Sequence, residues 1–179
     1  FLGILNTSFA QDVILSDSLK RIVSSYAPQQ KVDAYWLLAR EYATVDSTTT
    51  RKLMGEISTY QKDKMVASGM LKALEGNSYE AGGHKELAIE KYKEAIQLLE
   101  ESNEQVKLGQ VILDLAVLYG KDNQYEPFKS LSMQANDLFI KAGDSLNLIS
   151  SNSNVGRSYQ LLGQFDLAIV NLYKSVEIL

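Results

Sequence analysis

The sequence predicts an all-α chain, built as a solenoid of stacked helical hairpins. Three observations predict it. The first is an echo at 40-residue intervals: Gly156 aligns with Ala116 and Gly76, Tyr159 with Tyr119 and Tyr79, Ala168 with Phe128 and Ala88, Ser175 with Ala135 and Ala95, and Leu179 with Phe139 and Leu99. A fixed period of this length marks a repeat architecture. The second is helical spacing of the apolar residues inside a unit, as in Val106, Leu108, Val111, Leu115, Leu118 and Tyr119. The third is punctuation: two prolines and 11 glycines in 179 residues leave little room for loops, so the helices are joined by short turns.

Taken in order, residues 1–10, "FLGILNTSFA", read as the remnant of a secretory signal. Apolar FLGIL ends the hydrophobic region, and Ser8-Phe9-Ala10 places small residues two apart before a cut at Gln11. The expectation is export, to the periplasm; with FLGIL read instead as an apolar first turn docked on the domain, the chain is cytoplasmic. No other stretch approaches the roughly 20 apolar residues of a membrane span, so a membrane enters only through a segment downstream of this sequence.

Residues 11–65 form divergent N-terminal helices. Leu15, Leu19, Ile22 and Tyr26 make one stripe, ended by Pro28. "YWLLAREYATV" gives the first helix of a hairpin through Tyr35, Leu38, Ala39 and Tyr42. Its partner, capped from the Ser47–Thr49 run, buries Leu53, Ile57 and Tyr60, with Arg51 in the small-residue place.

Residues 66–179 hold three hairpins, 66–102, 104–142 and 145–179. Gly83 and Gly163 mark two of the turns, where a backbone free of Cβ strain is needed. "DNQY" marks the third, and Pro127 fits the first turn of the helix that follows. The small residue on each first helix lets the second approach, and the tyrosine one turn later fills the space beside it. In the middle copy Phe128 replaces the small alanine, so that hairpin is expected to splay or repack. With a leading helix and four hairpins, about nine helices are expected.

The copies "VGRSYQLLGQFDLAIVNLYKS" and "GNSYEAGGHKELAIEKYKEAI" resemble the tetratricopeptide repeat. The match runs through Val155, Gly156, Tyr159, Gly163, Phe165 and Ala168 in one, and Gly76, Tyr79, Gly83, Ala88, Tyr92 and Ala95 in the other. The period departs from the family's usual 34 residues. The extra residues lengthen the helices, by roughly one turn each. The resemblance implies a right-handed superhelix whose first helices line a concave groove for a protein or peptide partner. Carried onto this chain, the groove positions are Asn77 and Glu80, then Gln110, Leu113, Val117 and Lys121, then Ser150, Ser153, Arg157 and Gln160. Members that grip a C-terminal carboxylate use lysines and asparagines where this chain has Ala73, Asn77, Asp114 and Val117. Asp114 is expected to repel such a ligand. The 40-residue copies and their linkers are also similar to segments ahead of the membrane span in bacterial sensor histidine kinases and related regulators. The function this implies is a non-catalytic sensory or interaction segment of a larger signalling protein. A stand-alone exported assembly scaffold is the alternative, and an enzyme with an unrecognised site a more distant one.

Composition and motifs argue against other chemistry. Lys and Arg total 18 against 22 Asp and Glu, for a net charge of −4, which is not the basic footprint of a nucleic-acid binder. The chain has no cysteine, which removes disulfides, thiol catalysis and cysteine-ligated zinc. His84 is the single histidine and opens a helix, so no Ser–His–Asp set forms without it. "EAGGHKE" lacks the preceding strand and the Lys-Ser/Thr pair of a phosphate cradle and reads as a turn. Glu94, Glu100 and Glu101 read as solvated helix faces beside lysines. Neither metal nor cofactor is expected.

The last helix is the most apolar. Residues 165–179, "FDLAIVNLYKSVEIL", carry ten apolar residues of fifteen, more than one packing stripe can use. Phe165, Ala168, Ile169, Leu172 and Val176 are expected to pack on the partner helix. Leu167, Val170, Tyr173 and Ile178 are then left uncovered, as a face for a next repeat in a longer chain or, in this one, for a homodimer.

Overall fold

The computed structural model describes residue 23, residues 25–43 and residues 45–177. Among the described residues there are eight helices and no strand: α1 (Pro28–Tyr42), α2 (Ser47–Tyr60), α3 (Lys64–Ala81), α4 (Lys85–Ser102), α5 (Gln105–Lys121), α6 (Tyr125–Ala142), α7 (Ser145–Leu161) and α8 (Phe165–Glu177). They pair in sequence as α1–α2, α3–α4, α5–α6 and α7–α8, and each hairpin then stacks on the next. The expected leading helix, with Leu15, Leu19 and Ile22, lies outside the described residues, as do residues 1–10.

The turns repeat as strictly as the sequence. Gly83, Asn123 and Gly163 take positive φ of 76°, 61° and 73°, the left-handed conformation that ends a helix cheaply at Gly or Asn. One residue later the backbone N–H groups of His84, Gln124 and Gln164 donate to the carbonyls of Tyr79, Tyr119 and Tyr159, at 2.8, 2.9 and 2.9 Å. The three aligned tyrosines therefore also supply the carbonyl that closes each turn. Between hairpins, Asn103 and Gly143 repeat the same device, with φ of 60° and 67°.

Aspartates start three of the helices. Asp63 accepts from the N–H of Met65 and Val66, Asp144 from that of Asn147, and Asp46 from that of Thr48. Asp46 thus caps α2, rather than the Ser47–Thr49 run. Asp46 is the residue just before the first turn, with extended backbone, so its carboxylate faces the free N–H groups, while the Thr49 hydroxyl donates to Asp46 itself. The Thr49 bond, with the backbone amides behind it, holds the Asp46 carboxyl below the usual range.

The small residues sit where the helices cross. A Cβ added at Gly76 would lie 2.7 Å from the Tyr92 ring, and one at Gly156 would lie 2.7 Å from Leu172 Cγ and 3.1 Å from the Ala168 carbonyl. In the middle copy the pair is Ala116 and Ser132, both fully buried. Phe128 does not splay its hairpin. It is 2 % exposed and packs on Gly120, where an added Cβ would fall 2.9 Å from its ring. The other copies carry Glu80 and Gln160 at the place of Gly120. A large residue has moved to α6 and a small one to α5, which conserves volume across the crossing. Trp36, Ile57, Met70, Leu74, Tyr92, Leu99, Ile112 and Phe139 build one continuous core from α1 to α6, with Leu148 of α7 packed on its end.

The terminal helix departs from expectation. Ala168 and Ser175 are its buried residues, while Phe165, Ile169, Leu172 and Val176 are 62, 54, 42 and 65 % exposed. The stripe expected to pack on α7 is therefore mostly uncovered. The close approach at Gly156 sets α8 so that Ala168 and Ser175 face α7, with Leu172 reaching Gly156 at the edge of that contact.

Candidate functional site

The first helices of the hairpins, α1, α3, α5 and α7, stand side by side, and their facing side chains form the candidate surface. Its N-terminal part is closed by a ladder between α1 and α5. Asp33 meets Lys107 at 3.0 Å, the Trp36 indole N–H donates to Gln110 Oε1 at 2.6 Å, and Arg40 donates to Asp114 Oδ1 at 2.6 Å. Each pair is 74 residues apart, so the two helices run parallel and in register. Trp36 and Gln110 are buried, and the Arg40 guanidinium also lies 5.4 Å from the Trp36 ring centroid.

Behind the ladder lies a second network. Asn77 Nδ2 donates to the Tyr92 hydroxyl at 3.0 Å and to Asp114 Oδ2 at 3.4 Å. The Tyr92 hydroxyl donates to Glu80 Oε2 at 2.8 Å, and Lys121 donates to Glu80 Oε1 at 2.6 Å. Burial pushes the Asp114 carboxyl up from its ordinary value, and Arg40 pulls it back. The Tyr92 hydroxyl is raised, first by burial and then by the nearby Asp114 and Glu80 carboxylates, so it is held as a donor.

The sequence-derived groove residues thus divide. Asn77, Glu80 and Lys121 are drawn together in one network, and Gln110 is shared between Trp36 and Asn147. Leu113 is half-buried against the core, and Val117 is half-buried. Ser150, Arg157 and Gln160 stand exposed on α7. Ser153 turns to the packing side instead, donating to the Ile149 carbonyl and meeting the Ser175 hydroxyl at 3.2 Å. Asp114 does not face solvent as a free repelling charge; Arg40 neutralises it. On α8, Leu167, Val170 and Tyr173 are exposed at 47, 51 and 66 %, and Ile178 lies outside the described residues.

Sequence reasoning missed the α1 partners of α5. The signal was present: Asp33, Trp36 and Arg40 have the same spacing as Lys107, Gln110 and Asp114, with complementary chemistry at each step. Two helices carrying matched triplets at one spacing can pair in parallel. Elsewhere the side chains do structural work. His84 is exposed, opens α4 and meets the Tyr79 ring edge-on. Glu94 is bridged by Lys91 and Lys72, which hold its carboxyl down to about 2. Among the described residues no cluster of His, Asp and Glu could hold a metal ion, and no helix is long and apolar enough to cross a membrane.

No family model matches the chain, and no curated protein does. Solved structures do. The apo form of RapI superposes with a TM-score of 0.65 at 12 % identity, over 98 % of this chain and 64 % of that one. Aspartyl phosphate phosphatase F from Bacillus subtilis superposes with a TM-score of 0.68 at 14 % identity, over 89 % of this chain and 44 % of that one. MamA gives 0.55 at 16 % identity, over 89 % and 84 %. This chain spans less than two thirds of the first two. At these identities the likeness is one of fold: the chain is a helical-repeat protein with a tetratricopeptide-like solenoid.

Proposed function

We propose that the chain is a non-catalytic scaffold that binds a protein or peptide segment along the first-helix face, mainly on α5 and α7. The observation that carries this is the division of that face. On α1, α3 and the Lys107–Asp114 part of α5 the face is sealed by its own polar ladder, whereas Ser150, Arg157 and Gln160 of α7 stand exposed beside Val117 of α5, and Arg157 makes no ion pair among the described residues. An extended or helical peptide with an acidic residue suits Arg157, while Val117 and Leu113 offer apolar contact. A peptide selected from a displayed library on the intact protein should lose about tenfold or more in affinity to Arg157→Glu, with an unchanged melt. Photo-crosslinks confined to α4, α6 and α8 would remove this reading.

The wider setting we propose is the sensory or interaction segment of a larger signalling protein. The fold likeness to RapI, to phosphatase F and to a signal transduction ATPase with a tetratricopeptide repeat sensor from Pyrococcus horikoshii supports it. Export is part of the same proposal and rests on the "FLGILNTSFA" leader. Protein made with its native leader should be recovered with an N-terminus near Gln11 by intact-mass measurement; the whole leader retained would count against export.

A further inference from the structure

The seam between the second and third hairpins and the seam between the third and fourth are built from different chemistry. By the 40-residue translation, Ile89, Tyr92 and Ile96 of α4 become Lys129, Ser132 and Asn136 of α6. Ile89, Tyr92 and Ile96 join Leu108, Val111, Ile112 and Leu115 of α5 in the continuous apolar core. Interdigitated apolar side chains of that size hold one register, since a slide opens voids and forces clashes at once. Among the described residues α7 adds only Leu148 to that core, and its buried Val155 lies outside it.

The polar groups at the α6–α7 seam hold it lightly. The buried hydroxyls of Ser151 and Ser158 donate to carbonyls of their own helix, those of Leu148 and Val155, at 3.0 and 2.7 Å. The Ser132 hydroxyl is fully buried and has no partner. Among the described residues, side-chain hydrogen bonds across the seam come from Asn136, which donates to Ser151 at 3.0 Å and to Asn152 at 2.7 Å, and from the Tyr159 hydroxyl, which meets the Met133 sulfur at 3.9 Å. Lys129 lies 5.7 Å from the Tyr159 ring centroid on a long, flexible stem. Inside the fourth hairpin the fit is closer. An added Cβ at Gly156 would lie 2.7 Å from Leu172 and 3.1 Å from the Ala168 carbonyl, and Ser153 meets Ser175 at 3.2 Å. The fourth hairpin is thus tight within itself and lightly keyed to the third. The face proposed for a peptide, with Val117 on α5 and Ser150, Arg157 and Gln160 on α7, lies across this seam.

We propose that α7 and α8 pivot as one rigid body on the α6–α7 seam, and that a peptide lying across α5 and α7 fixes the pivot. The coupling rests on the peptide site proposed above; the pivot does not. Glu90, Ser130 and Val170 are exposed and stand 40 residues apart on α4, α6 and α8, and the chain has no cysteine, so each can be changed to cysteine and spin-labelled in pairs. Electron–electron distance measurements on the intact chain should give a Ser130–Val170 distribution about twice as broad as the Glu90–Ser130 distribution. A Ser145–Lys174 pair, inside the fourth hairpin, should be as narrow as Glu90–Ser130, which separates pivoting from fraying. Asn136→Ala, with its helical circular dichroism unchanged, should broaden Ser130–Val170 further and leave Glu90–Ser130 as it was. Equal widths for the two seam pairs, a broad Ser145–Lys174 pair, or no response to Asn136→Ala would overturn the pivot. A saturating peptide selected on the intact protein should narrow Ser130–Val170 to the width of Glu90–Ser130. A peptide that needs Arg157 to bind and yet leaves the distribution broad would overturn the coupling while the pivot stands. Binding indifferent to Arg157→Glu would instead remove the α5–α7 site, and the coupling with it.

Discussion

Gly76, Gly156 and Gly55 have the same side chain and three different jobs. At Gly76 an added Cβ meets the Tyr92 ring at 2.7 Å. That ring cannot swing aside, because its hydroxyl is bonded to both Asn77 and Glu80. At Gly156 the nearest neighbour is Leu172, which is 42 % exposed and able to turn, and only the Ala168 carbonyl at 3.1 Å is fixed, so the penalty there is smaller. At Gly55, inside α2, nothing lies within 4 Å. Gly76→Ala should cost about 2–3 kcal/mol from overpacking, Gly156→Ala less, and Gly55→Ala should stabilise by about 0.5–1 kcal/mol through helix propensity alone. Urea midpoints of the three variants check the order; equal effects would mean the close crossings are not where the energy lies. Gly76 and Gly156 could be singled out from the repeat, since the period repeats the crossing. Gly120 could not, because its job follows from Phe128 eight residues later and appears only once both helices are in place.

At the scale of the element, α1 reaches α5 through a ladder of polar side chains. Asp114 is the member most dependent on its partner. Arg40→Met keeps the aliphatic stem but leaves the carboxylate beside Tyr92 and Glu80 without its cation, which should cost about 1–3 kcal/mol at pH 7. The pH dependence follows from the direction of the shift. Burial raises Asp114 and Arg40 lowers it, so removing Arg40 raises it further. A carboxyl raised in the folded state destabilises as pH climbs through that raised value. The variant and the wild type should therefore converge in stability at acid pH, where Asp114 is protonated, and separate as pH rises toward neutrality. Parallel curves across that range would show that Asp114 is not what Arg40 supports. The fold class of these elements was legible because helical period and turn residues are local signals. The ladder joins residues 74 apart, so its signal, the matched triplets on α1 and α5, shows only when two distant helices are compared.

For the whole molecule, a repeat fixes which helices face inward and which outward before any partner is known. The sequence was therefore a good guide to the row of first helices and a poorer one to which of their residues are available. Asn77, Glu80 and Gln110 stand in that row, yet they are already bonded to Tyr92, Lys121, Trp36 and Asn147. Occupancy of a hydrogen-bonding group depends on superhelical curvature, which a periodicity does not specify. The same limit misassigned α8, where four large residues at helical spacing looked like a packing stripe, although the crossing at Gly156 had already set the rotation of the helix.

The partner site proposed for this solenoid is the first-helix face of α5 and α7. Hydrogen–deuterium exchange of the intact chain, with and without a saturating selected peptide, tests it most directly. Backbone amides in α5 and α7 should exchange more slowly when the peptide is present, while α4 and α6 stay as they were. Slowing confined to α4, α6 or α8, with α5 and α7 unchanged, would contradict the account.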